Sequence, residues 1–331
     1  MNVVMIIPTG IGAEIGGHAG DANPVAQLLG SVCDTLILHP NVVNASDINE
    51  MPPNSLYVEG SILDRFLEGE VDLQRVKSNK VLVVVNKPVR NETINAVSAA
   101  RATLGLDAEI VELKEPLIMH AYSSGSGGMA GGSVSGWKGL VDQVTGDHQF
   151  DALAIATQIT CDQDVALKYF KDGGVNPWGA VEAMASKMVA SRVNKPVAHA
   201  PVETDNPEIK SFNEVVDPRM APELVSNCYL HCILKGLHRA PRIGKGISFK
   251  DVDCLITPIN CVGRPHRACL DAGIPIIAVK ENRTVCNDPM PDSFIIVENY
   301  LEATGVLVAM EGGLSLESLR RPLKATRVLS V

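Results

Sequence analysis

Cysteines at positions 161 and 261 hold comparable places in the chain. Cys161 follows the apolar run ALAIA in ALAIATQITCD, and Cys261 follows CLIT in CLITPINCVGRPH. Each sits in a loop just past a strand-like run, and the carboxyl edge of an open α/β sheet is where such folds bind ligands. One thiol on each side of a cleft makes a two-base arrangement. A thiolate removes a proton next to a carboxyl group, and the opposite thiol delivers one to the other face. A thiolate needs nearby positive charge, and Arg264, His266 and Arg267 follow Cys261 closely. His266 and Arg264 would tune that thiol or hold a carboxylate. Cys161 has Asp162 beside it and no basic neighbour. The alternative for each thiol is a small packed side chain, the common fate of cysteine.

A glycine-rich stretch, TGIGAEIGGHAGDANP, follows the first apolar run. A dinucleotide fingerprint needs G-x-G-x-x-G opening a helix, with an acidic residue about 20 positions on. Here Gly10 and Gly12 are followed by Gly16, one residue too late, and the next strand ends in His39. The stretch reads instead as a long loop, in which Gly10, Gly12, Gly16 and Gly17, with His18 and Asp21, let the backbone approach a small ligand. Pro24 opens the next helix, with Asn23 or Asp21 as its cap, and its free N–H groups favour an anion. A second Asn-Pro, Asn176-Pro177 in GGVNP, gives a matching helix start, and His199 ends a later strand as His39 does. Asn23, Asn176, His39 and His199 are therefore expected to line one site. The basic segment KGLHRAPRIGKGISFK adds Arg242, suited to a carboxylate or phosphate. Well-capped helices and a solvated basic loop are the alternatives.

Metal chemistry is weaker. Cys228, His231 and Cys232 share a helix face, and Cys261, His266 and Cys269 form a loose group. Neither spacing matches a strong metal motif, so packed thiols are expected, with no metal and no cofactor. No G-x-S-x-G, H-E-x-x-H or G-x-x-x-x-G-K-[ST] occurs.

The elements that must position these residues are strands and helices in alternation. Strands are expected at 3–7, 35–38, 81–85, 108–112, 152–156, 196–199, 254–257, 274–279 and 294–297. Continuous apolar runs indicate burial on both faces, and the alternation predicts an α/β fold with largely parallel sheets. Residues 116–137, with a Gly-Ser tip, read as a hairpin or flexible flap. Two echoes suggest duplication. GDANP with its helix and strand parallels GGVNP with its own, and KVLVVVNKPVRNETINAVSAARATLGLDAEIVEL parallels DVDCLITPINCVGRPHRACLDAGIPIIAVKEN. They predict two pseudo-symmetric halves, 1–115 and 138–331, with a central cleft; the alternative is that any two βαβ units look alike.

This layout, with a cysteine after a strand in each half, resembles the aspartate/glutamate racemase superfamily. That resemblance implies cofactor-independent proton transfer by Cys161 and Cys261. Asp162-Gln163 follow Cys161 where that family carries Asn-Thr, and Asn260 precedes Cys261 where it carries Gly. The full length also resembles an uncharacterised family of cyanobacteria and plant plastids, through IIPTGIGAEIGGHAGDANP, LILHPNVVNASDINEMP, GGVNPWGAVEA, NKPVAHAP, LHRAPRI and CVGRPHRACLDAGIP. It implies a housekeeping protein and no particular reaction.

Composition bounds the function. The chain of 331 residues is 46% hydrophobic but only 4% aromatic, so its core is Val, Ile, Leu and Ala. A net charge of −9 disfavours nucleic acid and anionic membranes as partners. No apolar run reaches the ~18–20 residues of a span, and the first run reads as a strand rather than a signal peptide. Eight cysteines without a CxxC pair suit reduced thiols in the cytoplasm. The expectation is an enzyme acting on a small anionic metabolite, carboxylate or phosphate, by proton transfer of racemase or isomerase type. An acyl- or phosphoryl-group transferase and a non-catalytic metabolite-binding or assembly protein are the alternatives. Apolar helix faces such as 222–237 leave a homo-oligomer possible.

Overall fold

Short runs of Val, Ile and Leu bounded by turns form strands, and the Ala- and Leu-rich stretches between them form covering helices. The computed structural model describes residues 1–17, 20–123, 129–146, 148–201 and 228–329. The chain begins β1 (Asn2–Met5), α1 (Asn23–Gly30), β2 (Thr35–Leu38), β3 (Ser55–Tyr57), α2 (Gly60–Leu67) and β4 (Leu73–Gln74). It continues β5 (Val81–Asn86), α3 (Asn91–Leu104), β6 (Ala108–Leu113), β7 (Ile118–Ser123), β8 (Ala130–Ser135) and α4 (Trp137–Thr145). Next come β9 (Ala152–Thr157), β10 (Ile159–Cys161), α5 (Gln163–Asp172), α6 (Gly179–Val193) and β11 (Val197–Pro201). From residue 228 onward come α7 (Tyr229–Arg239), β12 (Arg242–Ile243), β13 (Cys254–Pro258), α8 (Arg264–Asp271) and β14 (Ile276–Val279). The last elements are β15 (Ile295–Val297), α9 (Tyr300–Glu311) and α10 (Leu316–Leu319).

The fold is α/β, with two wholly parallel sheets. One has six strands in the order β15-β14-β13-β1-β2-β3, and the other has four in the order β11-β9-β5-β6. A smaller sheet, β10-β7-β8, holds the antiparallel pair β7 and β8, and β4 pairs antiparallel with β12. The apolar runs are continuous because both faces of each large sheet are covered. In the six-stranded sheet Val3, Met5, Leu36 and Leu38 pack under α1 and α9, while Val4, Ile37 and Leu56 pack under α2 and α8. In the four-stranded sheet Leu82 and Val84 face α4 and α6, while Val81, Val83 and Val85 face α3 and α7.

Sheet membership does not follow the split at 115 and 138. Strands β1 to β3 belong with β13 to β15 at the far end of the chain, and Val3 pairs with Cys254. Strands β5, β6, β9 and β11 form the other sheet. The chain leaves the first sheet through β4 and returns through β12, and the two crossings pair with each other. The reason is register. A central strand such as β1 needs partners on both sides, and the C-terminal strand β13 supplies the one that β2 does not. Each sequence echo thus places one unit in each sheet: α1–β2 against α6–β11, and β13–α8–β14 against β5–α3–β6.

Strands β3 and β11 are edge strands of their sheets. The two edges are bridged on one face by α2 against α6, and on the other by α7 against the 3-10 turn Ala45–Asp47. Lys187 Nζ donates to Asp64 Oδ2 at 2.7 Å, and Arg65 donates to Asn194 Oδ1 at 3.1 Å. A Cβ on Gly236 would lie 2.8 Å from the Tyr57 ring, so α7 sits directly on the end of β3. The result is a closed seam between two parallel sheets.

Candidate functional site

The glycine loop packs closely against protein, most tightly at Gly16 and Gly17. Gly16 has φ +80°, and a Cβ there would lie 2.2 Å from Ile7 Cδ1 and 2.7 Å from the Asn41 carbonyl. At Gly17 a Cβ would meet the Ala13 carbonyl at 2.1 Å. The buried Asn282 clamps the Ile15 peptide, accepting from its N–H at 3.0 Å and donating to its carbonyl at 2.9 Å. Val285 N–H donates to Ile11 O, and Ala130 N–H to Gly10 O. Gly10 lies against Ala130 and Ala180, and Gly12 against Val175 and Val285. The glycines therefore allow close backbone packing across the carboxyl edge of the six-stranded sheet. His18 lies outside the described residues.

The expected caps differ. Helix α1 has Ala22 at its N-cap, with no side-chain cap; Asp21 Oδ1 instead accepts from Gly16 N–H at 3.0 Å. The Asn23 side-chain oxygen is buried with no partner. Asn176 does cap: its Oδ1 accepts from Trp178 N–H at 2.9 Å and Gly179 N–H at 3.3 Å at the start of α6.

Cys261 and His266 form a satisfied structural knot. His266 Nδ1 accepts from Gly263 N–H at 3.0 Å, so its proton sits on Nε2, which meets Thr257 Oγ1 at 2.8 Å. The ring stacks on Phe294, and burial holds its pKa down at about 4. The Cys261 thiol donates to the Pro258 carbonyl at 3.3 Å. Burial pushes that thiol up to about 12, and Cys286 and Asp288 push the same way. Arg264 points away and binds Glu68 Oε2 at 2.6 Å. Cys161 ends the edge strand β10, beside Ala121, and its thiol is also raised, by burial and then by Asp162. Among the described residues, neither thiol has the neighbouring cation a thiolate requires. The two belong to different surroundings, Cys161 with the α4–α6 core and Cys261 with the end of β13.

Arg242 is also committed to the fold. It donates to Asn79 Oδ1, Ser78 O and Asp151 Oδ2 at 2.8–3.0 Å, locking the chain crossing at β12. Among the described residues no group of three or more His, Cys, Asp or Glu is placed to hold a metal, and Cys228, His231 and Cys232 form none.

The seam is different, because polar groups there go unsatisfied. Buried polar atoms almost always find a partner. Yet Ser55 Oγ, Glu59 Oε1 and Ser61 Oγ, along β3 and the start of α2, have none, nor has His199 Nδ1 on β11. The Glu59 side chain belongs to a residue only 6% exposed. Burial pushes its carboxyl up to about 8, against a downward pull from the Tyr57 hydroxyl. His199 Nε2 meets Thr157 Oγ1 at 3.2 Å, and burial holds the ring at about 3. His39, at the end of β2, accepts from Asn41 N–H through Nδ1 at 3.1 Å. Burial lowers its pKa to about 4, so the neutral ring carries its proton on Nε2. That N–H faces the start of α2, where a Cβ on Gly60 would lie 2.7 Å from it.

A chain of contacts joins two helix N-termini here. Gly60 of α2 touches His39, His39 accepts from Asn41, and Asn41 donates to Thr9 Oγ1 at 3.1 Å. Thr9 in turn abuts Gly179 at the start of α6, where a Cβ would be 2.8 Å from its methyl. Helix starts carry partial positive charge, which suits an anion; at α6 the first N–H groups, of Trp178 and Gly179, are already held by Asn176 Oδ1. Of the residues expected from sequence, His39, His199 and Asn176 lie in this region. Thr9, Asn41, Tyr57, Glu59 and Ser61 were missed. The available signal was YVEGS, a carboxylate directly before Gly-Ser at a helix start.

No solved structure matches the chain. An uncharacterised lipoprotein of Synechococcus sp. is 34% identical over 338 residues, covering 96% of this chain and 92% of its own. The family described as "Protein of unknown function (DUF3326)" matches residues 2–320. With that match spanning nearly the whole sequence, the chain belongs to the DUF3326 family.

Proposed function

We propose that the protein is an enzyme acting on a small anionic metabolite at the carboxyl edge of β1, β2 and β3, and that its chemistry is a proton transfer. The observation that carries this is the stitched pair of helix starts, with a neutral His39 N–H and the unpartnered Ser61 Oγ beside them. The anion sits on the helix N–H groups, and His39 Nε2–H donates to an oxygen of it. A neutral imidazole is the better donor here, because it gives a hydrogen bond without protonating the ligand. The thiols take no part, being raised and, among the described residues, without a neighbouring cation. We place the protein in the cytoplasm on its eight free cysteines, which suit a reducing compartment. A relative is called a lipoprotein, and cell fractionation decides between the two placements. No described helix is long and apolar enough to cross a membrane.

The test begins with native mass spectrometry of the purified chain for small acids carried through purification. Inorganic phosphate and succinate are then titrated while Trp178, beside the start of α6, reports by fluorescence. Binding of either probe that weakens about tenfold or more in His39→Phe supports the site. Absence of both a carried ligand and any probe binding would leave an interaction protein as the better account.

A further inference from the structure

We propose that Glu59 is the group that carries the proton, and that the substrate has a C–H next to a carbonyl or carboxyl carbon. This rests on the anion-site reading above and adds the catalytic acid/base and the substrate class. Glu59 occupies the N-cap position of α2 without capping it, so its carboxyl is not used to hold the helix. One of its oxygens is buried and unpartnered, and the next two residues are the Gly60 that touches His39 Nε2 and the equally unpartnered Ser61. Glu59 thus directly precedes the glycine that the His39 N–H touches, at a helix start. A carboxyl and an N–H donor that reach one ligand remove a proton from carbon while holding the oxygen that gains charge.

The step balances without a co-reactant. Glu59 as carboxylate takes the proton from the carbon beside the carbonyl. The C–H electron pair becomes a C=C bond, and the C=O pair moves onto oxygen. That oxygen accepts from His39 Nε2–H and lies near the α2 N–H groups. Return of the proton from Glu59 to the same carbon, on either face, restores the carbonyl. The buried carboxyl, with its pKa raised to about 8, suits the role, since it can be both acid and base near neutrality. Tyr57, whose hydroxyl faces Glu59, positions it, and among the described residues Cys232 on α7 is a further titratable group acting on Tyr57.

The experiment equilibrates the whole protein in D2O and follows four probes by proton NMR: pyruvate, L-lactate, L-aspartate and succinate. Binding is read separately by Trp178 fluorescence. The expected result is deuterium entering the C–H of at least one bound probe. In Glu59→Gln that probe still binds, with affinity within about threefold, while exchange falls by about 100-fold or more. Glu59→Asp restores part of the exchange. Equal exchange in wild type and Glu59→Gln would overturn the assignment. So would probes that bind the wild type without any exchange, and that outcome would leave the anion site standing. Failure of every probe to bind would instead remove the anion-site reading, and this inference with it.

Discussion

Two histidines that follow strands of one sheet teach different lessons. His266 and His39 both follow strands of the six-stranded sheet, and burial holds both near 4. Both are therefore neutral at pH 7. His266 spends both ring nitrogens, on Gly263 N–H and on Thr257, and stacks on Phe294. His39 spends one, on Asn41 N–H, and turns the other toward a glycine. A perturbed pKa marks both sites and so cannot tell them apart. What separates them is whether every donor and acceptor already has a partner. The saturated knot serves the fold, and the unsaturated seam is available to a ligand.

The largest expected effect is shared by both histidines. In the unfolded chain a histidine takes up its proton near the ordinary ~6.5, while the folded chain keeps His39, His199 and His266 neutral to about 4, 3 and 4. Their contribution is present above ~6.5 and is lost as pH falls toward 4. Between pH 7 and 5 the three together should remove on the order of 5 kcal/mol, offset in part by Glu59. Urea unfolding followed by tryptophan fluorescence measures it. Equal stability at the two pH values would show that these rings are not held neutral.

Single substitutions then separate the pair. His266→Ala removes the ring from Phe294 and strands Gly263 N–H and Thr257 Oγ1, so a loss of about 3 kcal/mol is expected. His39→Ala strands only Asn41 N–H and should cost about 1 kcal/mol. Ligand binding should invert the order, falling in His39→Ala and staying in a folded His266 variant such as His266→Gln. Equal stability losses would dissolve the distinction between knot and seam.

Glu59→Gln should stabilise the fold. Its carboxyl is raised from the usual carboxylate range to about 8, so the folded chain holds a proton that the unfolded chain gives up above ~4.5. That contribution is complete below ~4.5 and is lost as pH rises through 8. A neutral glutamine escapes the loss. Glu59→Gln should thus be more stable than wild type by about 4 kcal/mol at pH 8, with the difference vanishing near pH 4. A variant less stable at pH 8 would mean that the carboxylate is held by groups that favour its charge, and that the seam is polar enough to solvate it.

The sequence carried more of the fold than of the site. Nine apolar runs became strands, the central ones buried on both faces as VLVVV of β5 is. Strand β3 has three residues, too few to show a period, and Glu59 lies just past it. The two crossings were invisible for another reason. Pairing of Val3 with Cys254 is a long-range choice that no local pattern records. The glycines announced a loop but not its neighbours; at Gly16 and Gly17 what leaves no room for a side chain is Ile7 and Ala13. Cys261, Arg264 and His266 are close in sequence, which suggested a thiol beside a cation. Helix α8 starts at Arg264 and turns that side chain outward to Glu68, while His266 turns inward.

Arg264 supplies the smallest expected effect and the sharpest control on the comparison. Its guanidinium is more than half exposed, and its partner Glu68 is partly buried. An ion pair of this kind gains little in high dielectric and is screened by salt, so Arg264→Ala should cost no more than about 1 kcal/mol, less at high salt. Because Arg264 stands on the side of the knot and not of the seam, phosphate or succinate binding should not change. Were Arg264→Ala to weaken probe binding tenfold while leaving stability intact, the anion would sit beside Cys261 after all. The knot would then be the site and the seam merely structure. Measuring both quantities on one variant therefore tests the assignment of roles from the side opposite to His39.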